Sequence, residues 1–363
     1  MNASHRPKVL VALVIVMTIL LVPTVANPAF PDKSTLQNAC KKYAAECIRN
    51  PSCSIGQTWG YPIGTWNTTL ITDMSYLFSS SNFNEDISSW DVSSVTNMRG
   101  MFRLAFLFNR DISMWNVSSV MDMGEMFSIS RAFNQNISGW DVSSVKDMNG
   151  MFLASSAFNR DLSRWDVSLV TDMTSMFRDS SFNGDISKWN VGAVKSMRGM
   201  FYGNAKFNGV ISGWDVSSVS TMYGMFGSAT AFNQDISGWN VRSVVDMGCM
   251  FKGASTFNQD ITRWQVGSVK YMTEMFSQAS VFNQDISRWD MSSVDSTRGM
   301  FYMAFRFNQN MCAWKNKIST MDDNIFLRSG CNFRSVPTLY GPFCAVDTCP
   351  ARENGEAGLA AIS

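Results

Sequence analysis

Apolar and polar positions alternate along this chain in a block that repeats about every 25 residues. Tryptophan marks each block at positions 66, 90, 115, 140, 165, 189, 214, 239, 264, 289 and 314, with intervals of 25 except for two of 24. With the tryptophan counted as coil position 1, the consensus is W-D-V-S-S-V-x-D-M-x-G-M-F-x-x-A-x-x-F-N-Q-D-I-S-x. Such a fixed period predicts an array of stacked units.

Within each coil, the apolar spacing predicts one short strand and one helical turn. Ile236, Trp239 and Val241 have the L-x-x-L-x-L spacing of leucine-rich-repeat strands, and polar Asn240 lies between the last two. The spacing of one helical face, i, i+3, i+4 and i+7, occurs at Met247, Met250, Phe251 and Ala254.

No single coil can bury its tryptophan, two methionines and two phenylalanines alone, so each coil must cover its neighbour. We therefore predict an α/β repeat solenoid of leucine-rich-repeat type. Its parallel β-sheet would lie on one face, its short helical turns on the other, and a cap would close each end.

The repeated W-D-V-S-S-V…D-M…M-F…F-N-Q-D-I-S pattern resembles the BspA-type leucine-rich-repeat surface proteins. The resemblance covers about residues 59–316. The segments Thr58–Trp66 and Cys312–Cys344 also resemble the end regions of that family. Membership would imply a cell-surface or secreted adhesion-type scaffold, and it implies no reaction.

The ends of the chain differ from the repeats. Arg6 and Lys8 precede an apolar run from Val9 to Val22, and Ala26 provides a small residue for cleavage, as in secretory signal peptides. The apolar run is too short to span a bilayer. We predict a signal peptide (1–26), an N-terminal helical cap (27–58), about ten repeats (59–316), a C-terminal cap with cysteines (317–349) and a disordered tail (350–363).

The N-terminal cap is expected to contain an amphipathic helix over residues 34–50. The apolar face of this helix would comprise Leu36, Cys40, Tyr43, Ala44 and Cys47.

Charge and histidine content exclude several functions. Cleavage of the predicted signal peptide would remove Arg6 and Lys8, so the mature chain would keep 28 of the 30 basic residues and all 29 acidic residues. A net charge this close to zero gives no overall field that would attract nucleic acid. The sole histidine, His5, lies in the predicted signal peptide, so the mature chain has no imidazole for nucleophilic catalysis or zinc binding. We expect no enzymatic activity, no cofactor, no metal and no transmembrane anchor in the mature chain.

The eight cysteines cluster near the two ends, apart from Cys249. In an oxidising compartment the C-terminal four would form disulfides of undetermined connectivity, and a zinc tetrad is the alternative. Cys249 is more than two coils from any other cysteine, so we expect a free thiol or a bridge to a second copy. The C-terminal four are Cys312, Cys331, Cys344 and Cys349. Glycosylation sequons lie at Asn67, Asn116 and Asn136.

Two polar columns recur in the F-N-Q-D-I segment. Asparagine at coil position 20 is expected to bond the backbone of the adjacent coil, which is a structural role. Position 22 carries aspartate in most coils, and stacked carboxylates need relief from backbone N–H groups or from calcium. These aspartates are Asp86, Asp111, Asp161, Asp185, Asp235, Asp260 and Asp285.

The predicted sheet would expose coil positions 2 and 25, and this face is the usual binding surface of such solenoids. The face has no aromatic anchors, which favours a glycan or a weakly bound extracellular protein as ligand. The predicted ligand-binding residues are Asp141, Arg164, Asp166, Lys188, Asp215, Arg263, Arg288 and Asp290.

Three classes of function compete at this stage. A secreted or cell-surface recognition scaffold agrees best with the family likeness and with the variable position 25. A passive structural or ice-contacting solenoid would need uniform rows of threonine or serine. A polysaccharide-cleaving parallel β-helix would need one distinguished pair of carboxylates, whereas here the carboxylates repeat.

Overall fold

The computed structural model describes residues 27–48, 50–315, 324–335, 337 and 341–349. The predicted signal peptide and the predicted tail lie outside the described residues. Two α-helices precede the repeats, α1 at Lys33–Glu46 and α2 at Ser54–Trp59. Short 3-10 helices lie at Ile63–Thr65 and Cys312–Trp314. None of the described helices is both long and apolar enough to cross a bilayer.

Helix α1 is shorter than the sequence predicts. The carboxylate of Asp32 accepts a hydrogen bond from a backbone N–H of the first turn and so fixes the start of the helix. The helix ends at Glu46, because the next residue, Cys47, is tied back by a disulfide to Cys53. Ala44, predicted to lie on the buried face, is exposed.

The N-terminal cap covers the first tryptophan of the array. The ring of Tyr43 packs edge-on against Trp66, with 5.5 Å between ring centroids. Phe30 stacks on Trp59 at 4.0 Å and lies 5.1 Å from Trp66. These rings take the place that a preceding coil would occupy, as the end of a repeat array requires.

Each coil is a succession of reverse turns. In the coil that begins at Trp140, the N–H of Val145 donates to the carbonyl of Val142 at 3.0 Å, and that of Met151 donates to Met148 at 3.2 Å. Each bond spans three residues, the spacing that closes a β-turn. The predicted α/β class, with a strand and a helical turn in every coil, is therefore wrong.

The left-handed backbone at coil position 11 explains the absence of helix. Apolar residues three apart lie on one face of a helix and also at the two ends of a β-turn, so the spacing of Met148 and Met151 fits both. At Gly150, between them, φ is 58°, which ends a right-handed helix. Glu125 and Cys249 have φ of 55° at the same position, so the conformation belongs to the coil and not to glycine alone.

Backbone hydrogen bonds join neighbouring coils along positions 8–15, which we call the ladder segment. Every second N–H of this segment donates to a carbonyl of the next coil. Between the coils of Trp140 and Trp165, the bonds run from Met148 to Asp172 (3.1 Å), from Gly150 to Thr174 (2.8 Å), from Phe152 to Met176 (2.9 Å) and from Ala154 to Arg178 (2.7 Å).

Parallel pairing between coils is confined to coil position 8, where isolated bridges succeed one another from Asp73 to Ser296. The predicted parallel sheet through the tryptophan and valine positions is therefore wrong. The N–H groups of Trp140 and Val145 donate to carbonyls three residues earlier in the chain and are unavailable for a sheet. Beyond position 8, the left-handed residues prevent the ladder segment from forming an extended strand.

The buried positions nevertheless follow the sequence pattern. Trp140 and Val142 are buried and Asp141 between them is exposed, which confirms the predicted alternation. Each internal indole N–H donates to the carbonyl that lies three residues before the preceding tryptophan: Nε1 of Trp165 donates to the carbonyl of Ile137 at 3.1 Å. A buried indole of this kind needs such a partner.

Two columns of phenylalanine fill the centre of the array. Phe152 at coil position 13 stacks on Phe158 at position 19 of the same coil, with centroids 4.0 Å apart. It also stacks on Phe177 of the next coil at 5.7 Å. Offset pairs of this kind add about 0.5–1.5 kcal/mol each beyond the burial of their area.

Asparagine at coil position 20 forms the predicted ladder. The N–H of Asn208 donates to Oδ1 of Asn183 at 2.9 Å, and the same bond recurs from each coil to the next between Asn84 and Asn332. The predicted structural role is confirmed. Each side chain supplies the acceptor that the next coil's turn lacks.

The coil pattern extends into the segment assigned to the C-terminal cap. Phe326 follows Trp314 by the usual 12 residues, and its ring stacks on Phe301 at 5.7 Å. Cys331 takes the place of the second phenylalanine, and Asn332 continues the asparagine ladder. An eleventh, modified coil therefore precedes the end of the array.

Disulfides fasten this last coil. Cys312 pairs with Cys349 and Cys331 pairs with Cys344, at Cα–Cα distances of 5.4 and 4.6 Å. All four C-terminal cysteines are thus paired with one another as disulfides. Backbone bridges from Cys344 to residues 310 and 333 hold the returning chain against the coil.

The tryptophan column sets the stability of the array. Trp214 is 4% exposed and its indole donates to the carbonyl of Ile186 at 3.0 Å. We expect Trp214→Ala to lower the free energy of unfolding by about 3–5 kcal/mol, because it leaves a cavity between two coils. The exposed Arg263→Ala should change it by no more than about 0.5 kcal/mol. Urea denaturation measures both, and equal effects would mean that the interior has been misassigned.

Candidate binding surface

The structure places all eight predicted ligand-binding residues on the surface, but not on a sheet. They follow the turns at coil positions 2 and 25 and are exposed. Arg263, Arg288 and Asp290 come together with Trp264 around a shallow groove of about 500 Å³. The other members lie outside this groove, at coil positions 2 and 25 of neighbouring coils. They are Asp141, Arg164, Asp166, Lys188 and Asp215.

The aspartates of position 2 accept hydrogen bonds within their own turns. Oδ1 of Asp215 accepts from the N–H of Ser217 at 3.0 Å, and Asp166 bonds Ser168 in the same way. The serine side chain and then the serine N–H lower the pKa of both carboxyl groups. This local bonding gives the position 2 aspartates a structural reason to recur.

The position 22 aspartates have the same arrangement. Oδ1 of Asp235 accepts from the N–H of Ser237, and Oδ1 of Asp260 accepts from Thr262, both at 2.9 Å. The turn donors hold the pKa of Asp235 below its usual value, although Asp260 in the next coil opposes this shift. Among the described residues, no three His, Cys, Asp or Glu side chains form a group suited to a metal ion.

The residue types that vary most from coil to coil lie over the ladder segment. We call the surface formed by coil positions 7, 8, 10, 11, 14 and 15 the ladder face. Arginine, lysine, glutamate and tyrosine replace one another there, above an interior that hardly changes. Of the eight tyrosines in the chain, five belong to this face, namely Tyr76, Tyr202, Tyr223, Tyr271 and Tyr302.

Ion pairs neutralise several charges of the ladder face. The guanidinium of Arg99 lies 3.5 Å from a carboxylate oxygen of Asp122 and 3.2 Å from one of Asp147. Burial raises the pKa of Asp147 above its ordinary value, and repulsion from Asp122 and Asp172 adds to the effect. The N–H of Asn149 and the charge of Arg99 oppose this shift without cancelling it.

Two sets of three residues, each an arginine, a tyrosine and a glycine from successive coils, stack along the ladder face. At position 14, the guanidinium of Arg178 lies over the ring of Tyr202, 4.8 Å from its centroid. A Cβ on Gly227, at the same position of the next coil, would come within 2.6 Å of that ring. The tyrosine is therefore held between an arginine before it and a glycine backbone after it.

The second stack repeats the arrangement at position 10, one coil farther along. Arg198 lies 4.1 Å from the centroid of Tyr223, and a Cβ on Gly248 would come within 3.1 Å of the tyrosine. A pocket of about 240 Å³ separates the two stacks. It is lined by Ser175, Arg178, Arg198, Gly199, Tyr202, Tyr223 and Gly224.

The sequence pattern alone does not reveal these two stacks, although the chain carries a signal for them. Arginine, tyrosine and glycine follow one another at intervals of one coil, 24 and 25 residues in one stack and twice 25 in the other. The signal has meaning only when equivalent positions are known to lie against each other. The helix assumed for the ladder segment hid that relation.

Cys249 lies beside the second stack. It forms no disulfide and is 8% exposed, because Tyr223 of the preceding coil covers it, with 3.6 Å between Sγ and the phenol oxygen. Burial raises the pKa of its thiol. The bridge to a second copy of the chain stays a prediction, and this covering would oppose it. Cys40, in α1, is also unpaired and buried.

Four overlapping segments of the chain match one family model, described as "Mycoplasma protein of unknown function, DUF285". They cover residues 53–164, 108–194, 154–254 and 234–333, which together amount to most of the chain and nearly all of the array. The chain belongs to this family. No curated protein matches the chain.

For this member of the DUF285 family, Asp147 allows a test of the ladder-face electrostatics. A raised pKa means that the charged carboxylate is disfavoured in the folded state. We expect Asp147→Asn to raise the urea midpoint at pH 7. The difference should disappear as the pH falls through the folded pKa of Asp147 towards 3.8, where the wild-type group becomes neutral.

Asp166→Asn is the matched control, because the pKa of Asp166 is lowered. This variant should be less stable than the wild type at pH 7, and the loss should vanish below the lowered pKa of Asp166 in the folded protein. Both variants are produced in a bacterial host, since Asp166→Asn creates a sequon. The same sign for both variants at pH 7 would contradict the assignment.

The contact between Tyr202 and Gly227 can be tested by a double-mutant cycle. Gly227→Ala should displace the ring and lower the free energy of unfolding by about 1 kcal/mol relative to Gly213→Ala, whose Cβ would meet no atom within 4 Å. In a Tyr202→Ala background, the difference between the two glycine substitutions should disappear. A difference that persists there would mean that Gly227 is needed for another reason.

Proposed function

We propose that this chain is a secreted or cell-surface, non-enzymatic binding scaffold of the BspA type, and that the ladder face is its ligand surface. The observation that carries the proposal is the concentration of tyrosine on the ladder face of an otherwise uniform array, with arginines stacked on two of the rings. Tyrosine and arginine dominate the energetics of protein binding sites. A surface glycan or an extracellular protein is the expected ligand.

Location outside the cell is supported by two features. The pattern of residues 1–26 is that of a secretory leader. Three disulfides close the two ends of the array, and disulfides persist in oxidising compartments. One pair in the N-terminal cap and two around the last coil protect the ends, where a repeat array frays first.

The ladder face is favoured over the predicted face at positions 2 and 25. The aspartates of the predicted face bond their own turns, and no tyrosine lies there. The sequons Asn67, Asn116 and Asn136 lie at coil positions 2 and 22. Glycans on these asparagines would therefore leave the ladder face open.

The rival functions have less support. A passive lattice-contacting solenoid needs identical rows, whereas the ladder face changes from coil to coil. A polysaccharide-cleaving enzyme needs one carboxylate pair with contrasting environments. The aspartates of positions 2, 8 and 22 instead recur in equivalent turns, where Asp141, Asp147 and Asp161 each bond a backbone N–H two residues ahead.

Bound glycans can identify the binding face. Asp172→Asn and Tyr271→Asn each create a sequon on the ladder face, and Asp215→Asn and Asp290→Asn do so at position 2. The full chain and the two double variants, secreted from a glycosylating host, are compared on glycan and matrix-protein arrays. We expect glycans on the ladder face to abolish the binding seen with the unmodified chain, and those at position 2 to leave it intact.

Mass spectrometry confirms that the new sites are occupied, and melting curves confirm that both variants fold. Loss of binding only when position 2 is glycosylated would return the ligand surface to the predicted face. An unmodified chain that binds nothing on either array would contradict the scaffold proposal.

A further inference from the structure

We infer that the pocket between the two Arg–Tyr–Gly stacks binds the acidic group of an anionic polysaccharide, a carboxylate or a sulfate. The inference rests on the proposed function, since it identifies the ligand class of the ladder face. It begins from the geometry of Arg178 and Arg198, the two cations that line the pocket.

The stacks orient both guanidinium groups before any ligand arrives. Each lies over a tyrosine ring, at 4.8 Å for Arg178 and 4.1 Å for Arg198, an arrangement that cation–π attraction stabilises. Each ring is in turn supported by the glycine backbone of the following coil. A guanidinium held over a ring keeps the N–H donors at its edge free, and these donors match the oxygens of a carboxylate or sulfate.

The charge of the pocket is only partly neutralised. Its lining contains two arginines and no acidic residue. Nε of Arg178 donates to a carboxylate oxygen of Asp179 at 3.2 Å, and its terminal nitrogens make no hydrogen bond to a described residue. Arg198 forms no ion pair with any described residue. Arg99 and Lys252, elsewhere on the ladder face, are each paired with carboxylates of other coils. The pocket thus brings together two guanidinium groups, one of which has no acidic partner among the described residues.

The remaining lining favours a saccharide over a peptide. The pocket volume of 240 Å³ corresponds to roughly eight water molecules, enough for an acidic group and part of a sugar ring. Ser175 and Tyr202, both partly exposed, supply hydroxyls as polar partners for sugar hydroxyls. No apolar cavity is present in this lining to receive the side chain that usually anchors a peptide.

The test measures binding of the full chain to three immobilised polymers: polygalacturonate, dextran sulfate and neutral dextran. We expect binding to at least one anionic polymer, weakened by salt, and none to dextran. The double variant Arg178→Gln/Arg198→Gln should weaken binding about tenfold or more, because it removes charge-assisted hydrogen bonds. Comparing the two anionic polymers distinguishes carboxylate from sulfate recognition.

The matched control is Arg263→Gln/Arg288→Gln, which removes the same charge from the groove on the predicted face. A second control, Arg298→Gln, removes an exposed arginine at coil position 10 of the ladder face, outside the two stacks. Both controls should bind within about twofold of the unmodified chain, as expected for charges remote from the site. Unchanged melting temperatures exclude misfolding as a cause of any loss.

Three results would overturn the inference. The first is no binding to either anionic polymer, and the second is equally weakened polymer binding in the stack variant and in the groove control. The third is that a phosphorylated peptide displaces the chain from the immobilised polymer, whereas soluble polymer does not. The first two mean that the pocket does not select acidic sugars, and the third means that its ligand is a protein. If neutral glycans or proteins still bind the ladder face in the array experiment, the scaffold function stands while this inference fails.

Discussion

Backbone hydrogen bonds from coil positions 9, 11, 13 and 15 to the next coil are the constraint on which the rest of the structure depends. They fix the register, so that each residue lies against its equivalent one period later. Stacked phenylalanines, indole hydrogen bonds between coils and the asparagine ladder all follow from that register. Since each coil is covered only by its neighbours, stability accumulates from one interface to the next.

The sequence predicts which residues are buried between coils, but not the backbone conformation of the coils. Alternation around Trp140 and the repeated F-N pair identify the core and the asparagine ladder. The distinction between helix and turn depends on φ at coil position 11, where glycine, glutamate and cysteine all adopt left-handed values. Residue preference does not reveal a left-handed Glu125 or Cys249, because such residues take that conformation only when the surrounding structure imposes it.

The candidate site was misplaced for the same reason. A sheet through the tryptophan positions would have exposed Asp141 and Arg164 as a binding face, and both are indeed exposed. The parallel bridges lie instead at position 8, and the variable side chains nearby belong to the segment predicted to be helical. Residues 24 or 25 apart, such as Arg178 and Tyr202, become neighbours only once the register is known.

Ring spacing differs from the spacing of the hydrogen-bonded ladder. Hydrogen-bonded parallel bridges lie ~4.8 Å apart, whereas the rings of Phe158 and Phe182 are 6.3 Å apart and those of Trp239 and Trp264 are 6.4 Å apart. Successive coils are therefore rotated as well as translated, because a pure translation would move every equivalent point by the same distance. A ligand that contacts several coils must follow this rotation, so a flexible polymer fits the ladder face better than a flat, rigid surface does.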